Sequence, residues 1–354
     1  MGVLADYNFG IERMKFGLFG GAVANKNADT ADSQGYDGFV NLIIEAEKLG
    51  YESIFMVEHH FTGGGQVSAS LNLLTYIAAK TEKIRLGTSV TVLPWHNPVL
   101  LAEQTATLDL LSGGRLDFGV GKGYRDMEYK GFCIPQEEAL ERFQESVEVI
   151  KKAWTSEERF SHDGKFWQFD DIIVEPYTLQ EPHPPLWTAA GTDESIARVA
   201  ESDMNVLFDQ FASFKRTEER LKIWQTACAK SGRPFDPMEV GLARGLTITL
   251  SDEEYQEALK KRDVRVTKMI EKFGALPGLV KNEPESYSDP ILDMEEAALI
   301  GNPHKIIERL KVLENMGFKH ILILLPDDIE TLELFASEVM PEFQEEDTQV
   351  VNAA

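Results

Sequence analysis

The chain has 354 residues, 43% of them hydrophobic, which is enough for one large domain or two ordinary ones. Its 59 acidic and 35 basic residues give a net charge of −24, which repels nucleic-acid phosphates and anionic membranes and excludes both as expected partners. Two cysteines cannot form a disulfide framework, and the sequence shows neither a signal peptide nor a membrane-spanning segment, so we expect a soluble cytoplasmic protein.

From residue 14 onward the sequence alternates between strand and helix patterns. Strands are predicted at 14–19, 54–57, 84–93, 115–120, 186–190, 206–208, 240–250 and the end of 303–325, with helices between them. Eight strands close a parallel barrel, so the fold class is α/β and we predict a single (β/α)8 TIM barrel domain over residues 1–354. An open doubly wound sheet is the alternative, but the glycine fingerprint expected after its first strand is missing.

Two insertions interrupt this alternation. Residues 155–185 contain a predicted hairpin, 160–169, that turns on Asp163 and Gly164. Residues 274–299 form a second insertion, whose irregular part, 274–293, is rich in proline and glycine. We predict a mobile loop that closes over a ligand, and the alternative is a linker without such a role.

The most informative stretch is the end of the second strand. An unbroken apolar run, Ile54 to Val57, stops at Glu58, His59 and His60. In parallel α/β proteins ligands bind at the carboxyl ends of the strands, so we predict His59 as a catalytic residue. His60 points to the opposite side and is predicted to be structural, held by Glu58. The alternative is that the cluster only caps the strand. No metal is expected, because the histidines lack zinc-site spacing.

A second group of residues has the composition of a phosphate site. The turn Gly191 to Ser195 follows a strand and opens a helix, so backbone N–H groups and the hydroxyls of Thr192 and Ser195 are directed at one spot. The alternative is an ordinary helix cap. Lys122, between two glycines at the end of the fourth strand, could supply positive charge or be a surface lysine. Trp187, just before the turn, is predicted to line a pocket.

Four blocks of sequence resemble the bacterial luciferase family of flavin-dependent monooxygenases. The resemblance covers about residues 14–343. The blocks are VEHHFT at 57–62, GTSVTVLP at 87–94, GGRLDFGV at 113–120 and VMP at 339–341.

The resemblance implies a role for individual residues. His59 matches the family's catalytic histidine, and Lys122 stands where luciferase has a phosphate-binding arginine. The non-proline cis peptide that supports the flavin ring corresponds to the bond between Ser89 and Val90. The remaining predicted cofactor-binding residues are Tyr124, Ala190, Gly191, Thr192 and Ser195.

The resemblance also implies an activity. Family members bind reduced FMN, or in one branch a deazaflavin, form a C4a-hydroperoxide with O₂, and pass one oxygen atom to an organic substrate. We therefore expect a homodimer that acts on a small molecule and receives reduced FMN from a separate flavin reductase. Gly121 and Gly191 replace a cysteine and a glutamate of luciferase, and Asn97 replaces a histidine, so light emission is not implied. A deazaflavin- or NAD(P)H-linked oxidoreductase and a non-catalytic flavin-binding subunit are the alternatives.

Overall fold

Eight parallel strands form a closed barrel in the computed structural model, which describes residues 13–24, 33–273, 297–326 and 328–344. The barrel strands β1 to β8 are Lys15–Gly20, Ser53–Met56, Arg85–Thr88, Leu116–Gly121, Leu186–Ala189, Asn205–Phe208, Val240–Arg244 and His320–Leu324. Their order around the barrel is β3-β2-β1-β8-β7-β6-β5-β4, and pairing of Leu86 with Leu116 joins β4 back to β3. The predicted (β/α)8 barrel is confirmed.

Helices connect the strands on the outside of the barrel. The α-helices α1 to α10 are Ser33–Lys48, Ser70–Ala78, Pro98–Ser112, Asp126–Gly131, Ala139–Thr155, Asp193–Ala200, Phe214–Lys230, Asp252–Phe273, Pro303–Met316 and Ile329–Glu338. In the part of the chain that the structure describes, none of them is long and apolar enough to cross a membrane.

Local sequence signals fix the ends of α3. Asn97 accepts hydrogen bonds from the backbone N–H groups of Val99 and Leu100 at 3.0 and 3.2 Å, and Pro98 occupies the first helical position, where no N–H is needed. Gly113 ends the helix with a φ of 69°, a left-handed conformation that glycine adopts without steric cost. The loop before Asn97 is thereby held at the carboxyl end of the barrel.

Two strands are interrupted where the sequence predicts them to be continuous. The predicted strand 84–93 breaks at Ser89 and Val90, and its second part, Thr91–Val92, pairs with the end of β4. The predicted strand 240–250 ends in the barrel at Arg244. Its continuation, Leu246–Ile248, leaves the barrel to pair with Leu299–Gly301. Apolar periodicity alone does not show such a change of pairing partner.

The first insertion contains the predicted hairpin. Its antiparallel strands, Phe160–Asp163 and Gln168–Ile172, extend slightly beyond the predicted range. Glu145 of α5 holds the turn by accepting hydrogen bonds from the backbone N–H groups of Phe166 and Trp167. The predicted mobile loop, 274–293, lies outside the described residues.

The barrel interior changes character from one end to the other. Near the amino ends of the strands, His320 Nε2 lies 3.3 Å from Ser53 Oγ, and Arg85 forms a two-pronged ion pair with Asp117 at 2.7 and 2.8 Å. The indole of Trp187 donates a hydrogen bond to the same carboxylate at 3.3 Å. We call these five residues the amino-end layer. Trp187 is 4% exposed and packs inside the barrel, so the prediction that it lines a pocket is wrong.

The carboxyl end of the barrel is open and lined by small side chains. Ala189 lies two residues after Trp187 and therefore on the same, inner side of β5, yet it is exposed to solvent. On the neighbouring strand β4, Gly119 has no room for a side chain, because a Cβ atom there would lie 1.7 Å from the carbonyl oxygen of Thr88. The small side chain of Ala189 leaves its part of the mouth open, whereas at Gly119 the backbones of β3 and β4 approach each other closely.

Candidate active site at the carboxyl ends of the strands

Glu58 is the centre of one hydrogen-bond network at this end of the barrel. Its buried carboxylate oxygen Oε1 lies 3.1 Å from His60 Nε2 and 3.0 Å from His96 Nε2, and it accepts the indole N–H of Trp95 at 3.1 Å. Burial alone would raise the pKa of Glu58, but the hydrogen bonds and charge of the two histidines outweigh it and lower the pKa to about 2. The prediction that Glu58 holds His60 is confirmed.

His59 belongs to a second network. Its Nδ1 lies 3.3 Å from Glu128 Oε1, and Arg125 Nη2 lies 3.2 Å from its Nε2. Glu128 also accepts the backbone N–H of His60 at 3.0 Å, which ties the end of β2 to α4. The side chain of His59 is 17% exposed, whereas those of Glu128 and Arg125 are 2% and 6% exposed. His59 is therefore partly exposed to solvent, whereas the two charged side chains that contact it are buried.

Aromatic rings surround the two networks. Trp95 stacks on Phe132 with ring centres 5.0 Å apart and planes 19° apart, and His60 meets both rings edge to face. Phe61 packs against Phe132 at 5.0 Å, yet 55% of it is exposed. We call Phe61, Trp95 and Phe132 the aromatic wall. These rings limit the access of water to Glu58 and make one side of the mouth apolar.

The peptide bond between Ser89 and Val90 is cis, as the family resemblance implies. Both residues are half-buried at the end of β3. Gly121 of β4 lies against this bond, since a Cβ atom at Gly121 would lie 2.4 Å from Val90 Cγ2. A side chain at this position, such as the family's cysteine, would therefore collide with Val90.

Lys122, Tyr124 and Ala190 lie on the adjoining ends of β4 and β5. Val120 pairs with Thr188, and Lys122 and Ala190 each follow two residues later, just beyond the ends of these neighbouring strands. Lys122 and Tyr124 are exposed, whereas the side chain of Ala190 is buried. The hydroxyl of Tyr129 donates a hydrogen bond to the carbonyl oxygen of Lys122, which anchors the loop. Burial, followed by the charge of nearby Glu128, raises the pKa of Tyr129 to about 12.

The turn 191–195 forms a helix cap. The hydroxyl of Thr192 accepts the backbone N–H of Ser195 at 3.2 Å, and the hydroxyl of Ser195 accepts that of Thr192 at 3.1 Å. The N–H groups of Asp193 and Glu194, in the first turn of α6, have no acceptor within the described ranges. The carboxylates of both residues form ion pairs, Asp193 with Arg216 at 2.6 Å and Glu194 with Arg198 at 3.0 Å.

The structure therefore brings the predicted residues to one end of the barrel in two groups. His59 lies after β2, and the others follow β3, β4 and β5. Sequence reasoning missed Arg125, Glu128, Trp95 and His96. Arg125 directly precedes the six-residue helix α4, which was not predicted, and Glu128 lies in its first turn.

Asn97 stands where luciferase has a histidine and serves only to cap α3, while the adjacent His96 reaches Glu58. No group of three or more His, Cys, Asp or Glu side chains arranged to hold a metal ion occurs among the residues described.

Comparisons with known proteins agree with this geometry. The model of the luciferase-like monooxygenase family matches residues 14–320. The oxygenase component of a flavin-dependent trigonelline monooxygenase from Acinetobacter baylyi is 29% identical over 94% of this chain and 96% of its own. An F420-dependent glucose-6-phosphate dehydrogenase from Nakamurella multipartita is 26% identical over 88% of this chain and 94% of its own.

A solved structure shows the same fold. The oxygenating constituent of 3,6-diketocamphane monooxygenase from Pseudomonas putida, in complex with FMN, superimposes with a TM-score of 0.78 and 18% identity, covering 94% of this chain and 99% of its own. Because the family model spans most of the sequence and the barrel carries the family's cis peptide, this chain is an enzyme of the luciferase-like monooxygenase family.

Proposed function

We propose that the protein is a flavin-dependent monooxygenase that uses reduced FMN and O₂ to oxygenate a small organic substrate. The observation that carries the proposal is the position of His59. Its imidazole emerges from a buried network at the open mouth of the barrel, on the strand next to the cis peptide between Ser89 and Val90. This position presents an imidazole, a group that can accept and donate a proton, to a ligand at the mouth.

The described residues fit FMN. The exposed Lys122 follows β4, and the turn 191–195 follows the neighbouring strand β5; the N–H groups of Asp193 and Glu194 in that turn have no acceptor among the described residues. Both features suit a single terminal phosphate. The half-buried Ser89 and Val90 and the small, exposed side chain of Ala189 suit a flat ring. We therefore assign Ser89, Val90, Lys122, Tyr124, Ala190, Gly191, Thr192 and Ser195 to FMN binding.

Bound reduced FMN would supply the activation of O₂, which amino-acid side chains cannot provide. The protein's own residues orient the ring and exclude water. His59 takes a proton from the substrate or returns one to the departing oxygen. The aromatic wall contacts His60 and covers the buried Glu58 network, which keeps this side of the mouth apolar.

Two partners follow from this proposal. The relative from Acinetobacter baylyi is named an oxygenase component, which supports a separate flavin reductase for this chain as well. A second copy of the chain is the other partner. Helix α3 exposes Leu100, Leu110 and Leu111 by 56%, 42% and 63%, which supports a homodimer formed through this face.

Both cysteines are free, which supports a reducing, cytoplasmic location.

The experiment that tests the proposal compares cofactors. The protein is incubated anaerobically with reduced FMN or reduced F420, and binding, oxygen uptake and oxygenated product are then measured with a panel of small organic compounds. We expect tight binding of reduced FMN, and oxygen uptake coupled to product. Hydride transfer with F420 and no oxygen uptake would instead establish a dehydrogenase, as in the relative from Nakamurella multipartita. Flavin binding without either reaction would indicate a non-catalytic subunit.

A further inference from the structure

Two buried charged side chains hold His59 from opposite sides. Glu128 and Arg125 both come from the start of α4, three residues apart, and their own closest contact is 3.8 Å. Glu128 Oε1 lies 3.3 Å from His59 Nδ1, and Arg125 Nη2 lies 3.2 Å from His59 Nε2. Arg125 directly precedes α4, and Glu128 in its first turn also accepts the backbone N–H of His60, so the imidazole ring is held at both nitrogens.

The chemistry of these partners decides which nitrogen of His59 carries the proton. A carboxylate can only accept a hydrogen bond, so Nδ1 must be the N–H that faces Glu128. A guanidinium can only donate, so Nε2 must offer its lone pair to Arg125. The two contacts therefore require the same neutral tautomer.

We propose that Glu128 and Arg125 are positioning residues that hold His59 in the Nδ1–H tautomer and reserve Nε2 for proton transfer. The inference rests on the proposed function in one respect, the reaction in which Nε2 transfers a proton. The tautomer itself does not depend on that function. A proton that arrives from a substrate must reach Nε2, and in doing so it displaces the hydrogen bond from Arg125. Glu128 stays bound to Nδ1 and keeps the ring in place while the charge of the imidazole changes.

The tautomer can be measured without any flavin. The chain has seven histidines, so ¹⁵N spectra of histidine-labelled apoprotein at neutral pH are simple, and the loss of one signal pair in His59→Gln assigns His59. We expect a protonated Nδ1 and an unprotonated Nε2. The reverse pattern in the wild-type protein would overturn the proposal.

Variants of the two partners give a second test. The Glu128→Leu, Arg125→Met double variant removes both contacts and is expected to move His59 mainly to the Nε2–H tautomer. Glu128→Gln retains an acceptor oxygen and should keep Nδ1–H. Glu58→Gln is the matched control, because it alters a buried carboxylate that contacts His60 and His96 but not His59. Retention of the Nδ1–H tautomer in a folded double variant would also contradict the proposal.

The consequence for catalysis is measured separately. In single-turnover experiments, Glu128→Leu should bind reduced FMN as the wild type does but lose roughly tenfold to hundredfold in product yield, the effect of a misplaced catalytic group. Glu128→Gln should restore most of that yield. If the tautomer is as expected but the wild-type protein makes no oxygenated product, the proposed function fails and the assignment of the tautomer stands. Full product yield in Glu128→Leu would instead remove Glu128 from the positioning of His59.

Discussion

The two ends of the barrel use histidine in opposite ways. At the amino end, His320 is buried in the amino-end layer beside a serine hydroxyl, and burial lowers its pKa to about 4. At the carboxyl end, His59 and His60 lie next to buried carboxylates and retain contact with solvent. One end keeps its imidazole neutral and fixed, and the other surrounds its imidazoles with charge. Burial and partner, rather than residue type, decide which histidine is available for chemistry.

The largest expected effect is on stability at the carboxyl end. Glu58→Gln should destabilise the protein by about 3 kcal/mol at pH 7, because it removes the charge that His60 and His96 face. The pKa of Glu58 is about 2 in the folded protein and 4.5 ordinarily, so its stabilising effect is present above pH 4.5 and is lost as the pH falls towards 2. Urea unfolding at several pH values measures this difference.

The exposed pair between Glu141 and Lys165 provides the control for Glu58. Glu141→Gln also removes a carboxylate from a basic partner, but both side chains are more than half exposed, at 58% and 65%. Its cost should stay below about 1 kcal/mol. Equal effects of the two substitutions would show that the Glu58 network contributes no more to stability than a surface pair.

The next largest expected effect is on the pH dependence of stability, and it comes from His320 at the amino end of the barrel. The pKa of His320 falls from 6.5 to about 4 on folding. Between these two pH values the unfolded chain therefore binds a proton at His320 that the folded protein does not bind. Stability should therefore drop by about 3 kcal/mol between pH 6.5 and pH 4. His320→Gln should remove that part of the pH dependence. A variant whose unfolding free energy follows the wild-type curve over this range would contradict the lowered pKa.

Substitutions of histidine at the two ends of the barrel should differ in their effect on product formation. His59→Ala is expected to bind reduced FMN normally but to lose oxygenated product by roughly 10²-fold or more, as removal of a general acid or base usually does. His320→Gln, the matched change at the other end of the barrel, should keep its product yield. Single-turnover product analysis of both variants tests this contrast. Comparable losses in the two variants would mean that the contrast reflects stability and not catalysis.

The smallest expected effect concerns the cofactor. Lys122→Ala should weaken binding of FMN by about 1–3 kcal/mol, the range for a lost charged hydrogen bond. Riboflavin, which lacks the phosphate, should bind the variant and the wild type equally. Fluorescence titration with both flavins measures the difference, and an unchanged affinity for FMN would remove Lys122 from the site.

The sequence predicts the barrel well because each unit carries its own signals. Apolar runs mark the strands, and Asn97 and Gly113 mark the ends of a helix. His59 is predictable because it directly follows a buried strand. Even the cis bond after Ser89 is predicted, but only through the family resemblance.

What the sequence does not predict depends on contacts across the fold. Helix α4 is too short for apolar periodicity, so its residue Glu128 and the preceding Arg125 give no local signal, and only closure of the barrel brings them to His59. The same holds for His96, which reaches Glu58 from the loop after β3. The position of Trp187 just before a predicted ligand turn suggests a side chain that lines a pocket, but its indole donates a hydrogen bond to Asp117 inside the barrel.

The most direct test of the central claim is rapid mixing of the wild-type protein, loaded anaerobically with reduced FMN, with oxygenated buffer. We predict a transient near-ultraviolet absorption band that precedes the return of oxidised flavin, and oxygenated product when a substrate is present. Direct return of oxidised flavin with stoichiometric H₂O₂ and no transient band, with every substrate tried, would contradict the assignment as a monooxygenase.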